Sequence, residues 1–423
     1  MTTSDLTTRY IVPSYGRFPL ALARGEGTRV WDENGAEYLD FGAGIAVCSL
    51  GHCHPAITRA LQEQAGILIH TSNLYHTRPQ GLLAKHLVEK VMGGQGGKIF
   101  FANSGAEANE GLYKLARKFG HSRPTAQGRP RTEIITCLES FHGRTLAGIA
   151  ATGQPKFRDG FAPDMPGFRY VPYNDANALR AAVSEETAAI LFEVIQGEGG
   201  IRPVTPTFAR AAWELRDQHD LLVMFDDVQA GLGRTGDLRS WHSVLPPADR
   251  FEPDAVSWAK GLGGGFPIGA FWASERAVGD RPLCDLLGPG THASTFGGTP
   301  LGSAVALAVL EEIERAGLCD HALQMGHRIR QAMAGWDIPV LSEVRGQGLM
   351  LGLDLDPSAV QDTLGLAGCQ GRASLLATQK LMSAGLLTVP SGERVVRLLP
   401  PLNVSAADVE AALSILRDVL TSL

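Results

Sequence analysis

Short apolar runs alternate with longer amphipathic ones along most of this chain. Residues 98–102, 133–138, 188–195, 221–225, 255–259 and 269–273 are apolar runs of strand length without a polar face. Helical spacing fills the intervals at 106–119 and 206–219, and earlier at 55–70 and 79–92. Strands that are apolar on both faces and alternate with helices predict a mostly parallel sheet covered by helices, the α/β class. Ahead of this lies a polar arm. It leads into a short β meander, with strands at 30–32 and 37–41 around the turn Glu33-Asn34-Gly35.

The pattern changes after residue 300. A long helix is predicted over 300–316, then a helix at 327–334, a strand at 348–355, a helix at 373–384, a strand at 395–399 and a last helix at 405–421. Residues 357–373 read as a loop, and no internal repeat is present. The expected organisation is a large domain over 51–315 and a smaller α+β domain over 316–423, to which residues 1–50 contribute. The 423-residue length suits two domains, because single cores stop growing at roughly 250–300 residues.

Composition narrows the function. A net charge of −6 without any Lys/Arg-rich block argues against a nucleic-acid surface. No apolar run approaches 18 residues, so no membrane span is expected, and the N-terminus lacks an apolar signal segment. The cytoplasm is the default location. The six cysteines are scattered without a C-x-x-C pair. His52-Cys53-His54 has metal-binding side chains, but adjacent residues seldom converge on one ion and no matching set lies elsewhere, so no metal is expected.

The chemistry centres on Lys260, which follows the apolar run 255–259 and precedes Gly261-Leu262-Gly263-Gly264-Gly265. Asp226 ends the apolar run 221–225. Ligands of open α/β sheets bind at such strand ends. A buried lysine loses its proton easily and can form a Schiff base with an aldehyde. A nearby carboxylate can keep a pyridinium nitrogen protonated, as pyridoxal phosphate (PLP) chemistry requires. Taken alone, Lys260 could equally be structural.

Other segments add to this. Ser104-Gly105-Ala106 joins a strand to a helix start, which suits a phosphate, although Ser104 can also simply cap its own helix. Phe141 could stack on a flat ring or pack in the core, and Arg144 could fork onto a carboxylate or form a surface pair. Glu193 and Glu198 flank a strand end. Their spacing invites a glycosidase reading, but the strand pattern buries Glu193 and leaves Glu198 in a loop, better suited to partner an arginine. Gly231-Leu232-Gly233-Arg234-Thr235-Gly236 is a literal dinucleotide fingerprint. It follows two carboxylates, Asp226 and Asp227, and starts no clear helix, so it reads as a decoy. A small hydroxyl-rich loop at 291–300 precedes a helix, and Arg397 sits inside an apolar run, where a charge needs a partner.

In this order the segments resemble the class III (subgroup II) aminotransferases of PLP fold type I, along essentially the whole chain. They are 40–47, 50–55, 103–109, 141–145, 196–200, 226–229, 231–236, 259–270 and 295–298. Within the class, Ser72-Asn73-Leu74-Tyr75, residues 140–145 with 151–156, and Arg397-Leu398-Leu399-Pro400-Pro401-Leu402 are closest to the acetylornithine aminotransferase subfamily.

The resemblance implies that PLP is held covalently by Lys260, which then moves a proton between the substrate carbon and the cofactor. It further implies that Asp226 pairs with the ring nitrogen and Gln229 approaches the phenolic oxygen. Ser104, Gly105 and Ala106 would hold the phosphate, and Phe141 would stack on the ring. Thr295 would reach the phosphate bound by the other subunit of a homodimer with shared sites. Arg144 and Arg397 would take substrate carboxylates, with Glu198 masking Arg397 when the other donor binds. The implied reaction moves the terminal amino group of N²-acetylornithine to 2-oxoglutarate. Open alternatives are ornithine, succinylornithine, 4-aminobutyrate or N-acyl-lysine as donor, and an aminomutase of the same fold. From other classes, the chain could be a nucleotide-binding oxidoreductase or a catalytically silent binding protein. The chain departs from the family pattern at Asp227 (usually Glu), Ala106 (usually Thr), Val194 (commonly Pro) and Thr299 (commonly Asn).

Overall fold

A computed structural model describes residues 1–423. Its central sheet has seven strands in the order Lys98–Ala102, Gly269–Ala273, Ala255–Trp258, Leu222–Asp226, Thr187–Phe192, Glu133–Cys137, Phe168–Val171. Only Gly269–Ala273 runs against its neighbours; the other pairings are parallel. The central strands are buried throughout, as strands covered on both faces must be.

Strand alternation divides the core in two. Leu222 and Met224 pack with Leu112, Ala116 and Phe119 of the helix Gly105–Ser122. Val223 and Phe225 point the other way, toward Phe208 and Ala212 of the helix Pro206–His219. Side chains two apart share a face, so Asp226 turns toward the Gly105–Ser122 helix. There it meets Asn109.

The two chain ends build a second region. The meander Leu22–Glu26, Arg29–Asp32, Glu37–Asp40 takes Leu386–Leu387 as its fourth strand, with Leu387 opposite Asp40. A further sheet has the order Leu341–Gln347, Met350–Leu355, Val395–Leu398, Val389–Ser391. One apolar core joins Leu39, Phe41 and Leu50 to Leu351, Val396 and Leu416. The helix Pro300–Arg315 touches both regions: Val305, Val309 and Ile313 face this core, while Ala306 and Leu310 face the sheet. No helix is long and apolar enough to cross a membrane.

Several elements differ from the sequence reading. The polar arm contains a helix, Thr3–Tyr10, started by a Thr2/Asp5 capping box although it buries nothing. Residues 357–373 contain the short helix Thr363–Gly368, capped by Asp362. The predicted helix 79–92 is Arg78–His86 followed by a π-helical turn, Leu87–Val91. The predicted helix 327–334 is only the end of Leu318–Ala334, and the predicted strand 348–355 is the second arm of a hairpin. The apolar pattern does not mark the edge strand Phe168–Val171, because Arg169 breaks its run.

Candidate active site

A cleft of about 450 Å³ opens at the carboxyl ends of the parallel strands, within the usual range for small-molecule sites. Each strand end delivers one group to it. Ser104 follows Lys98–Ala102, Phe141 follows Glu133–Cys137, Glu193 follows Thr187–Phe192, Asp226 ends Leu222–Asp226, and Lys260 comes two residues after Trp258.

Lys260 stands in the left-handed region at φ 43, where a residue with a side chain is strained. Its amine pKa is lowered to about 8. Burial is the main cause and the Arg397 guanidinium adds to it, against the opposing pull of Glu198, Asp226 and Glu193. The amine is therefore far more often neutral near pH 7 than an exposed lysine would be.

Asp226 is held from three directions. Oδ2 accepts from Asn109 Nδ2 at 2.7 Å and lies 2.8 Å from His142 Nδ1; Oδ1 accepts from the Val228 N–H at 3.2 Å. Asn109 is itself fixed, because its Oδ1 accepts from Ser257 Oγ at 2.7 Å and its Nδ2 also reaches the His142 carbonyl. Burial is the largest single influence on His142 and opposes its charge, but the hydrogen bond to Asp226 and the negative charges of Asp226 and Glu193 together outweigh it and raise the pKa. Glu193 lies behind, its carboxyl accepting the N–H groups of Phe141 at 3.1 Å and Gly197 at 3.2 Å. Burial lifts its pKa to about 7 despite the nearby His142. The pattern of Ser140–Arg144 marks that segment in the sequence but assigns no role to His142 or Asn109. Strand alternation at Asp226 was the available signal for Asn109.

The cleft fits pyridoxal phosphate. Ser104 caps the helix Gly105–Ser122, accepting from the Glu107 N–H at 3.2 Å. The first N–H groups of that helix, at Gly105 and Ala106, have no intrahelical acceptor and can take an anion. A Cβ on Gly105 would lie 2.9 Å from Val228, so only glycine keeps this approach open. Gln229 lines the cleft and its side-chain amide makes no hydrogen bond within the chain, so its Nε2 is free to donate to a ring oxygen. The Phe141 ring and the Asp226 carboxylate line the same space. The donor set thus offers an anion seat, a flat apolar surface, a carboxylate and a neutralisable amine.

The two arginines are placed differently. Arg144 is exposed at the cleft, its guanidinium 3.7 Å from the Phe157 ring centroid and 5.3 Å from that of Phe141. Arg397 is 2% exposed, with Nη1 donating to Glu198 Oε1 at 2.7 Å and Nη2 to the Pro390 carbonyl at 3.1 Å. Its Nε has no partner. Glu198 lines the cleft and stands between it and Arg397, which does not. Thr295 is not brought to this cleft. It is exposed, beside Asn73 and Ser294 in a separate surface recess.

Asp227 turns away from the cleft into the core. Neither carboxyl oxygen has a donor in good hydrogen-bond geometry, although Ser240 and Trp258 lie near, and burial pushes the pKa to about 8. The glycine run 231–236 is a turn, with Gly233 and Gly236 left-handed. A Cβ at Gly236 would strike Leu323 at 2.3 Å, so this glycine serves packing against the helix Leu318–Ala334. His52, Cys53 and His54 diverge: His52 pairs with Asp40, His54 caps the helix Pro55–Ala65, and Cys53 is exposed.

Known proteins match the whole chain. The family model for class-III aminotransferases covers residues 10–420. The acetylornithine aminotransferase of Caldanaerobacter subterraneus subsp. tengcongensis is 44% identical over 419 residues, 98% of each chain. That of Thermosynechococcus vestitus is 45% identical over 429 residues, covering 99% of this chain and 97% of its own. Among solved structures, the ornithine aminotransferase of Toxoplasma gondii superposes with a TM-score of 0.87 at 32% identity, over 99% of this chain and 94% of the other. The N-acetylornithine aminotransferase of Stenotrophomonas maltophilia gives 0.78 at 37% identity, over 99% and 98%.

Proposed function

The chain belongs to the class-III aminotransferases, and from that premise we propose that it uses pyridoxal phosphate to move the terminal amino group of N²-acetylornithine to 2-oxoglutarate. The observation that carries this reading is the cleft shared by Lys260, Asp226 and Arg144, with Arg397 held behind its wall by Glu198. One amine, one ring-nitrogen partner and two guanidinium groups suit a reaction whose substrates each carry an α-carboxylate, and one of which is a dicarboxylate. The two acetylornithine aminotransferases above support the choice of donor.

When bound, the cofactor supplies an aldehyde that captures amines and a ring that stabilises negative charge on the reacting carbon. The chain does the rest. Gly105 and Ala106 bind the phosphate through backbone N–H groups, with Ser104 beside them. Asp226 holds a proton on the ring nitrogen, and Asn109 and His142 keep the carboxylate aimed. Phe141 and Gln229 fix the ring plane and the phenolic oxygen. Once freed, the Lys260 amine takes a proton from the substrate carbon and returns it across the reacting system; with its pKa near 8 it can do either near neutral pH.

Arg144 binds the α-carboxylate of the donor, or the distal carboxylate of the acceptor. Arg397 binds the acceptor's α-carboxylate when Glu198 swings aside. Masking matters because a monocarboxylate donor would otherwise meet two cationic seats.

We further propose a homodimer in which Thr295 of each subunit completes the phosphate site of the other. Thr295 lies outside its own cleft, next to the exposed Phe296, and Leu74 and Tyr75 are exposed as well. Large apolar side chains exposed in this way suit an interface.

A donor panel with 2-oxoglutarate tests the reading. Acetylornithine should give the highest kcat/KM among acetylornithine, ornithine, succinylornithine and 4-aminobutyrate. A clear preference for ornithine would replace the substrate while leaving the chemistry; the absence of transfer from every donor would overturn both.

A further inference from the structure

Four consecutive residues, Ala43, Gly44, Ile45 and Ala46, have φ values of 45, 65, 64 and 62°. They form one turn of left-handed helix, with Ala46 N–H donating to the Gly42 carbonyl at 3.0 Å and Val47 N–H to that of Ala43 at 2.8 Å. Left-handed turns are unfavourable for every residue except glycine, and three of these four carry side chains. Something outside the turn must hold it.

Asp40 is that holder. Its Oδ1 accepts from the N–H groups of Gly42 at 2.9 Å and Ala43 at 2.8 Å, capping the start of the turn. Its Oδ2 lies 2.7 Å from His52 Nε2. His52 is fixed in turn: its backbone exchanges two hydrogen bonds with Gly27, at 2.9 and 2.8 Å. Its side chain rests against Gly25, where a Cβ would lie 2.8 Å from His52 Cβ and Cγ. The hydrogen bond to Asp40, assisted by the Cys48 thiol, lifts the His52 pKa to about 10, so the pair is ionic at neutral pH.

The turn leads into the cleft wall, while Gly44 and Ile45 themselves border a neighbouring recess. Val47, immediately after it, lines the cleft with Lys260 and Arg144. Ser49 Oγ donates to the Gly261 carbonyl at 3.0 Å, tying the segment to the residue after the strained lysine. Ile45 projects from the turn with 41% of its surface exposed.

We propose that Asp40 and His52 are positioning residues: the pair latches the left-handed turn Ala43–Ala46 and thereby sets the wall that selects among amino donors. This rests on the aminotransferase reading above and adds the device that fixes its specificity. Neither residue touches the reacting atoms. If the latch is lost, the turn relaxes toward right-handed or extended backbone, Val47 moves out of the cleft wall, and a long acylated donor loses more contacts than a short one.

The test compares kcat/KM for N²-acetylornithine and 4-aminobutyrate in the holoenzyme. His52→Phe keeps a flat ring against Gly25 but offers Asp40 no donor. The acetylornithine preference should fall about tenfold, the scale of losing a methylene-sized contact or two, through KM, with kcat changing less than about threefold. Adding Ala46→Gly, which removes the strain at φ 62, should recover most of the lost preference. Should His52→Phe not fold, His52→Gln carries the test; it retains a donor for Asp40 and should show an intermediate loss. Equal falls for both donors, an unchanged ratio, or no recovery with Ala46→Gly would overturn the latch while wild-type activity stands. A wild-type protein that transfers no amino group would overturn the aminotransferase reading and the latch with it.

Discussion

His142 Nδ1 lies 2.8 Å from Asp226 Oδ2, and both side chains are almost wholly buried. The contact matters because Asp226 faces a cleft and must present its carboxylate at one angle. A charge-assisted hydrogen bond of this kind contributes roughly 1.5–3 kcal/mol. His142→Phe should therefore lower kcat roughly 10- to 100-fold, with KM for either substrate changing less. Single-turnover kinetics of the donor half-reaction would show it. Unchanged kinetics would mean that Asn109 alone aims Asp226.

Arg397 and Glu198 give a second expectation. In the proposed role Arg397 seats the acceptor's α-carboxylate, so Arg397→Ala should raise KM for 2-oxoglutarate by about 100-fold, the scale of a bidentate guanidinium contact. KM for acetylornithine should change far less, since Glu198 keeps Arg397 from that substrate. Equal effects on both would contradict the masking role.

Lys260 predicts how the protein takes up its cofactor. Only the neutral amine attacks an aldehyde, and the pKa is about 8 rather than that of an ordinary lysine. The rate at which cofactor-free protein binds pyridoxal phosphate covalently should rise from pH 6.5 and level off above about pH 9. A rate still climbing steeply at pH 10 would place the amine in a more polar setting.

How much of this was legible beforehand depended on whether a signal was local. The six apolar runs name six of the seven strands of the sheet, the five inner ones and the edge strand Lys98–Ala102, because a strand covered on both faces needs an unbroken apolar sequence. Phe168–Val171 sits at the edge and carries Arg169, so its composition did not reveal it. The helix Thr3–Tyr10 depends on a cap rather than on burial, and periodicity could not find it. Lys260 and Asp226 were visible because each ends such a run. Their supports, Asn109, His142 and Ser257, lie 117, 84 and 31 positions from Asp226 or nearby strands in sequence and meet it only through the sheet register, where Asp226 stands opposite Ser257. The left-handed turn at Ala43–Ala46 was invisible too: Gly44 alone hints at it, and the strain at Ala43, Ile45 and Ala46 comes from contacts with Asp40.

Asp227 yields a prediction about stability. Its carboxyl is buried with no well-formed hydrogen bond, and burial raises its pKa to about 8 against the weak pull of the Ser240 and Trp258 donors nearby. A carboxyl with a folded pKa above its unfolded value of 3.8 binds its proton more tightly in the native state. Folding is then unpenalised below pH 4 and loses stability progressively as pH rises to about 8. Asp227→Asn, neutral at all pH, should raise Tm relative to wild type at pH 8.5, by a ΔΔG of about 2 kcal/mol or more. The advantage should shrink toward zero at pH 4.5. A destabilised variant at pH 8.5 would mean the carboxylate is ionised and well solvated by its neighbours.

The central claim is that Lys260 does the chemistry. The direct measurement is the Lys260→Ala variant, purified with pyridoxal phosphate present, assayed for amino transfer from acetylornithine to 2-oxoglutarate and scanned for near-visible absorbance. The absorbance of a lysine-bound cofactor should vanish, and turnover should fall to the background without enzyme. A variant that keeps transferring amino groups, or keeps that absorbance, would contradict the assignment.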